Sequence, residues 1–361
     1  SLKKSLAFLS RNLLAEGPAA NPDSLMQVHA TLNAGMNAHN VEQVIAQGTD
    51  DIVFDYVPIP PRLHGQDAMG AMIQSLFTAF PDFLITPVKD FVAGNILVDE
   101  GLVTGTQQGT WAGIPPTGKK MQIQKLSVFE FEENKITRMT TYHDSSSLMI
   151  QLGIMPAPTL PSLVPSFPLP APVATNLSPL QAVRETQSRW NRHDLNSNVL
   201  MEHPDESVFV AVLGTSLNRE QWTALQELYF KSYPTLHVRA VRNIDLGDGW
   251  VLCECVWNGS MEGDYVGIPA TGRPISINGA ILYHFDAQGL LTEMHVYYDE
   301  ISNLMQSGVI APPGPPPAPA IPDRLIVDFI TSPSLAGNLL GDPATKEMLV
   351  YLPPSYQNSP N

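Results

Sequence analysis

Asp144 closes the run ITRMTTYHD, in which Arg138, Thr140 and Tyr142 share its side by strand alternation and Met139, Thr141 and His143 take the other. A carboxylate so placed can take the proton from a carbon flanked by two carbonyls, provided a donor meets the enolate oxygen as it forms. Tyr142 is a donor on the same side, whereas His143 points away. Asp144 also precedes Ser-Ser-Ser and an apolar helical run, the pattern of a helix N-cap, and the two roles are compatible. Asp55 sits mid-strand in Ile-Val-Phe-Asp-Tyr-Val, where a charge is costly unless its side lines a polar cavity or a wet edge. His64 precedes Gly65 in a loop, where it is either a site residue or simply solvated. Further along, Glu293, His295, Tyr297 and Asp299 alternate onto one side of a strand. His295 and Asp299 are then about 13 Å apart, too far to share a metal.

The elements that must position these residues occur twice. GIPPTGKK at 113–120 returns as GIPATGRP at 267–274, displaced by 154, and TTYHDSSSLMIQLGIM at 140–155 returns as HVYYDEISNLMQSGVI at 295–310, displaced by 155. The extra residue enters the hairpin between Phe131 and Ile136. Asn37 and His39 match Asn191 and His193, and Phe80-Pro81 falls opposite Tyr233-Pro234. Copy A is set at 21–155 and copy B at 176–310. Each opens with a helix: Pro22 suits a first turn, and Leu25, Val28, Leu32 and Met36 recur at helical spacing. A strand at 51–57, a helix at 66–80 and strands at 83–92, 96–111, 119–132 and 135–143 follow, with the GIPPTG turn between two of them. Helices followed by a curved antiparallel sheet make an α+β unit with the helices on one sheet face.

Residues 156–175 form a proline-rich joint, reaching about 60 Å if extended, long enough for the two sheets to meet face to face as an intramolecular pseudo-dimer. A second proline run at 311–322 sets off 323–361, where Arg324–Ile330 and Lys346–Leu352 read as strands. Residues 1–20 read as an amphipathic helical tail, with a cleaved signal as the alternative, and the location reads as cytoplasmic unless that signal is used. With 20 Lys and Arg against 35 Asp and Glu, the net charge of −15 disfavours nucleic acid and anionic membrane as partners. The uncharged stretch from Ser145 to Val183 is broken by seven prolines between Pro156 and Pro172, which forbids a spanning helix. Cys253 and Cys255 point to one side of a strand and read as reduced core thiols, and the five tryptophans read as core.

The run GTQQGTWAGIPPTGKKMQIQKLSVFEFEENKITRMTTYHDSSSLMIQLGIMP resembles the C-terminal half of the SnoaL-like polyketide cyclases, or ester cyclases, of the nuclear-transport-factor-2-like superfamily. In copy B, GIPATG, Asp299 and QSG survive. The resemblance implies two tandem cone-shaped α+β domains and a cofactor-free, metal-free intramolecular aldol closure, lyase or isomerase in type, on a small apolar carbonyl or ester substrate. The family's acid/base aspartate falls on Asp144, with Asp299 as its counterpart. Family members often read GTH where this chain has Gly105-Thr106-Gln107, so Gln107 offers a hydrogen-bonding amide in place of an imidazole.

The expected catalytic set is therefore Asp144, Asp55, His64, Gln107 and Tyr142, with Asp299, His295 and Tyr297 as weaker ligand contacts in copy B. Phe209-Val210 and Asn218-Arg219 replace Asp55 and His64-Gly65, which favours a structural copy B. The alternative is a non-catalytic binding or scaffolding tandem attached to a downstream esterase. SPSLAGNLLGDPATKEMLVYLPPSY at 332–356 resembles the opening edge of esterase-D-like α/β-hydrolases, and no G-x-S-x-G nucleophile elbow occurs in the sequence. Epoxide hydrolysis is discounted because strands 96–111 and 119–132 offer no arginine.

Overall fold

The computed structural model describes residues 21–57, 62–311 and two strands beyond them. Copy A runs α1 (Pro22–Asn37), α2 (Val41–Ile45), β1 (Gly48–Tyr56), β2 (Leu63–His64), α3 (Gln66–Ala79), β3 (Leu84–Ala93), β4 (Ile96–Thr106), β5 (Lys120–Glu132), β6 (Lys135–Tyr142) and α4 (Ser145–Gln151). Copy B repeats it: α5 (Pro179–Asn191), α6 (Leu195–Asn198), β7 (Glu202–Val210), β8 (Thr215–Asn218), α7 (Arg219–Ser232), β9 (His237–Gly247), β10 (Trp250–Ser260), β11 (Pro274–Phe285), β12 (Leu291–Tyr298) and α8 (Glu300–Gln306). The local reasons are those of the sequence. Asn21 caps α1 ahead of Pro22, Leu25, Leu32 and Met36 are buried along one stripe, and α3 ends before Pro81.

Each sheet has six strands, ordered β2-β1-β6-β5-β4-β3 and β8-β7-β12-β11-β10-β9. The sheets are mixed rather than antiparallel throughout, because β1 runs parallel to β6, and β7 to β12. The helical opening delivers Gly48 beside Ile136, at the end of the sheet where β6 also begins, so the two strands leave in the same direction. β4 stops at Thr106 rather than 111. There Gln107 N–H donates to Lys119 O and Gly118 N–H to Gln107 O, and the chain turns through Trp111–Ile114, with Gly118 at φ 69°.

Alternation along β5 divides its side chains between two cores. Met121, Ile123, Phe129 and Phe131 pack under the helices with Leu25 and Phe77. Leu126 and Val128 pack instead with Phe209, Leu252, Leu282 and Tyr297 of copy B. The copies therefore meet through the sheet faces opposite their helices. The seam is reciprocal: Tyr142 Oη donates to Glu254 and Tyr297 Oη to Glu100, each at 2.7 Å. Glu300 N–H donates to Asp144 Oδ1 at 2.9 Å, and Ser145 N–H to Asp299 Oδ1 at 2.8 Å. These pairs keep the displacement of the repeat, as an internal two-fold requires.

The proline-rich joint lies along copy B instead of spanning open space. Val173 N–H donates to Leu200 O at 2.8 Å, and Arg219 Nη2 to Pro170 O at 2.9 Å. Beyond residue 310 a separate unit carries β13 (Leu325–Thr331) paired antiparallel with β14 (Thr345–Tyr351), each one residue from its expected place. The tail at 1–20 and most of the esterase-like segment lie outside the described residues. Among the described residues no helix is long and apolar enough to cross a membrane.

Candidate functional site

Each copy encloses a cavity of about 90 Å³ between its helices and its sheet. One water needs about 10–15 Å³ on this scale, so each has room for a small ligand. None of the eight residues singled out by the sequence lines either cavity.

Asp144 lies in the seam. It is 2% exposed, with Oδ2 accepting from Ser147 N–H and Ser146 Oγ and Oδ1 accepting from Glu300 of copy B. Its N-cap role is plain, and as the expected acid/base group it does not reach the copy A cavity. Asp299 caps α8 in the same way, and Tyr142 and Tyr297 are occupied by the seam glutamates. Gln107 is fully buried under the GIPPTG turn, donating to Ile114 O and Pro115 O and accepting from Thr117 Oγ1, so it holds the turn. Asp55 pairs with Arg62 and Arg138 at 2.6 and 2.8 Å, and His64 is exposed on β2.

His295 is the remaining candidate, and it is a seam ion. Burial alone would lower its pKa, but hydrogen bonds to Glu100 (2.6 Å) and Glu293 (2.8 Å) outweigh burial and raise it to about 9. A raised histidine stabilises the fold fully below its ordinary pKa of about 6.5 and loses that contribution as pH rises through its folded value. Stability of the full chain to urea should therefore fall by about 3 kcal/mol on this account between pH 6.5 and 9.5. Glu300, raised to about 8 by burial and by Asp144, works in the same direction. His295→Gln should remove the histidine's share of the slope, and an unchanged slope would refute the assignment.

The copy A cavity is lined by the opposite sides of β5 and β6: Met121, Ile123, Lys125, Met139, Thr141 and His143, together with Asn33 and Tyr56. His143 is 3% exposed, neither ring nitrogen has a hydrogen-bond partner, and its ring lies 4.8 Å from that of Tyr56. Burial lowers its pKa, against the opposing fields of Asp299 and Asp144, so the imidazole is neutral at neutral pH. Lys125 Nζ donates to Asp99 Oδ2 at 2.5 Å and to Ser127 Oγ at 3.2 Å, which leaves one of its three N–H groups. His29 Nε2 stands 3.0 Å from the same carboxylate oxygen. Burial would raise Asp99, but Lys125 and His29 hold it down at about 2. Ligand atoms of His29, Asp90 and Asp99 lie within 4.8 Å of one another, as a metal site would require. The ammonium on Asp99 Oδ2 already supplies a cation there.

Copy B lacks this network. By the repeat, Cys253, Gly279, Val183 and Tyr298 stand where copy A has Asp99, Lys125, His29 and His143. A Cβ at position 279 would come within 2.2 Å of the Trp257 ring, so the indole fills the room used by the Lys125 side chain. Trp222 belongs to the buried core of copy B and Trp190 and Trp257 pack against it, and all three also line the cavity wall, where Glu202, Asn198 and Gln226 join them. The sequence signal for this acid was available: Glu202 and Glu206 enter β7 where copy A has Gly48 and Ile52.

Solved structures similar to one copy at a time include TsrD from Streptomyces laurentii (21% identity over 37% of this chain and 98% of that one, TM-score 0.35). IdmH from Streptomyces antibioticus, a candidate polyketide cyclase, matches at 21% identity over 36% and 97%, TM-score 0.33. An NTF2-like protein of unknown function from Burkholderia pseudomallei matches at 16% over 36% and 97%, TM-score 0.32. The profile of the SnoaL-like polyketide cyclases matches residues 26–152 and again 180–307. Matched twice and over most of its length, the chain belongs to the SnoaL-like polyketide cyclase family as a tandem of two such domains.

Proposed function

We propose that copy A catalyses a cofactor-free aldol-type cyclisation, or the related proton transfer, on a small and largely apolar carbonyl substrate, with His143 as the base. The observation that carries this reading is a neutral imidazole, unpartnered at both nitrogens, on the wall of an apolar cavity that also holds one ammonium. His143 takes the proton from a carbon flanked by two carbonyls. Negative charge then grows on the enolate oxygen, where the remaining N–H of Lys125 meets it in a water-poor site. The enolate carbon attacks the second carbonyl, forming the carbon–carbon bond, and the resulting alkoxide takes back the proton from the imidazolium. Asp99 and His29 hold Lys125 in place throughout.

Removing Lys125 alone would strand a buried carboxylate, so the test replaces both charges, with Lys125→Gln and Asp99→Asn in one chain. Cyclisation of an activated polyketide ester should fall by about 10²-fold or more, while the far-ultraviolet circular dichroism spectrum is kept. Unchanged turnover in a folded variant would end the reading.

A further inference from the structure

We propose that the copy B cavity binds a small organic ammonium ion, a function separate from the chemistry assigned to copy A. Three tryptophans and four tyrosines wall the cavity, Trp190, Trp222, Trp257 and Tyr298 among them. Their ring faces attract a desolvated cation. One carboxyl enters this aromatic wall: Glu202 is 1% exposed, and its Oε2 has no hydrogen-bond partner. Asn198 Oδ1, also on the wall, is likewise unpartnered. Two buried acceptors lack a donor, and the neighbouring Gln226 Nε2 and Arg219 Nε, themselves unpartnered, close no hydrogen bond on them. An incoming ligand would meet the acceptors with N–H groups, which a protonated amine supplies and a quaternary ion lacks.

The charges around the cavity point the same way. Glu206, on the same strand as Glu202, is buried with both oxygens unpartnered. Facing the two acids from α7 is the Arg219 guanidinium. It is tied down by the carbonyls of Val199 (2.6 Å) and Pro170 (2.9 Å), and its Nε stays 3.7 Å from Glu202. Two carboxyls against one guanidinium require either a retained proton or a further cation. Asn198 on α6 and Gln226 on α7 are uncharged, and Gly279 leaves no lysine at the position that supplies the cation in copy A. Burial raises Glu202 to about 7, against the pull of Arg219, and burial together with Glu202 raises Glu206 well above the usual carboxylate range. The proton therefore competes with the ammonium, and binding should tighten as pH rises through 7.

The test is calorimetric titration of the full chain with n-butylammonium and with its neutral isostere n-butanol, at pH 6 and pH 8. The amine should bind at least about 10-fold more tightly than the alcohol at pH 8, and about 10-fold more tightly at pH 8 than at pH 6. Glu202→Gln, which keeps the shape and removes a buried charge, should abolish the preference. Equal affinity for amine and alcohol, no binding of the amine, or a preference that survives Glu202→Gln would each overturn the proposal. The contrast between the two ligands uses the unmodified protein, so the test stands even if the variant does not fold.

Discussion

Replacing His143 by glutamine is expected to lower the turnover of an activated polyketide ester by about 10²–10⁴-fold, the usual worth of a positioned base. Glutamine keeps a polar side chain of similar size at the cavity wall but cannot accept a proton at neutral pH. The pH profile of the unmodified protein supplies a second check. Because burial depresses the His143 pKa, the imidazole stays neutral down to a pH below its ordinary 6.5. Turnover should therefore be flat above 6.5 and fall only in more acid solution, as the ring gains its proton. The same depressed value makes His143 favour the fold fully above pH 6.5 and less as pH falls through its folded value. A variant that cyclises as well as the parent would remove His143 from the mechanism, and the acid limb should vanish with it.

Asp144→Ala should have the opposite signature, costing about 3–5 kcal/mol of stability while sparing turnover per folded molecule. The substitution leaves Ser147 N–H, Ser146 Oγ and Glu300 N–H without their acceptor, two of them in one copy's helix start and one in the other's. Asparagine normally caps a helix about as well as aspartate, yet here it should still cost about 1–3 kcal/mol. Both carboxylate oxygens accept hydrogen bonds, so an amide must aim its NH₂ at a donor on one side of the seam. Urea denaturation of Asp144→Asn and of its counterpart Asp299→Asn measures this directly. A neutral outcome for both would mean that the seam reorganises freely around the caps. Loss of turnover in a fully folded Asp144→Asn chain would restore the aspartate as the acid/base group.

Much of the fold could be read from the chain because the signals are local or repeated. The GIPPTG turn, the Pro22 helix start and the matching runs around Asp144 and Asp299 set the elements and the two copies. Strand alternation also sorted β6 correctly into a Tyr142 side and a His143 side. What alternation could not tell is which side holds the cavity, since both are buried, one under helices and one against the second copy. A chemically attractive set on the Tyr142 side therefore turned out to be an interface, and the base candidate lay one residue away. Lys125 and Asp99 are 26 residues apart and His29 is 70 from Asp99. Such pairs meet only once the sheet is assembled. Gln107 drew notice through the family pattern, but its three hydrogen bonds within the turn give it a local task.

In a dimer of identical chains every substitution arrives twice, so a change that suits one pocket is forced on the other. Fusion of the two halves through a strap laid along copy B removes that constraint. Tyr142 and Tyr297, with their partners Glu254 and Glu100, preserve the shared surface as a matched set. Behind it Lys125 faces one chamber while Gly279 and Trp257 reshape the other. A single polypeptide can thus present two unlike chemical environments back to back, with each free to be altered without its twin.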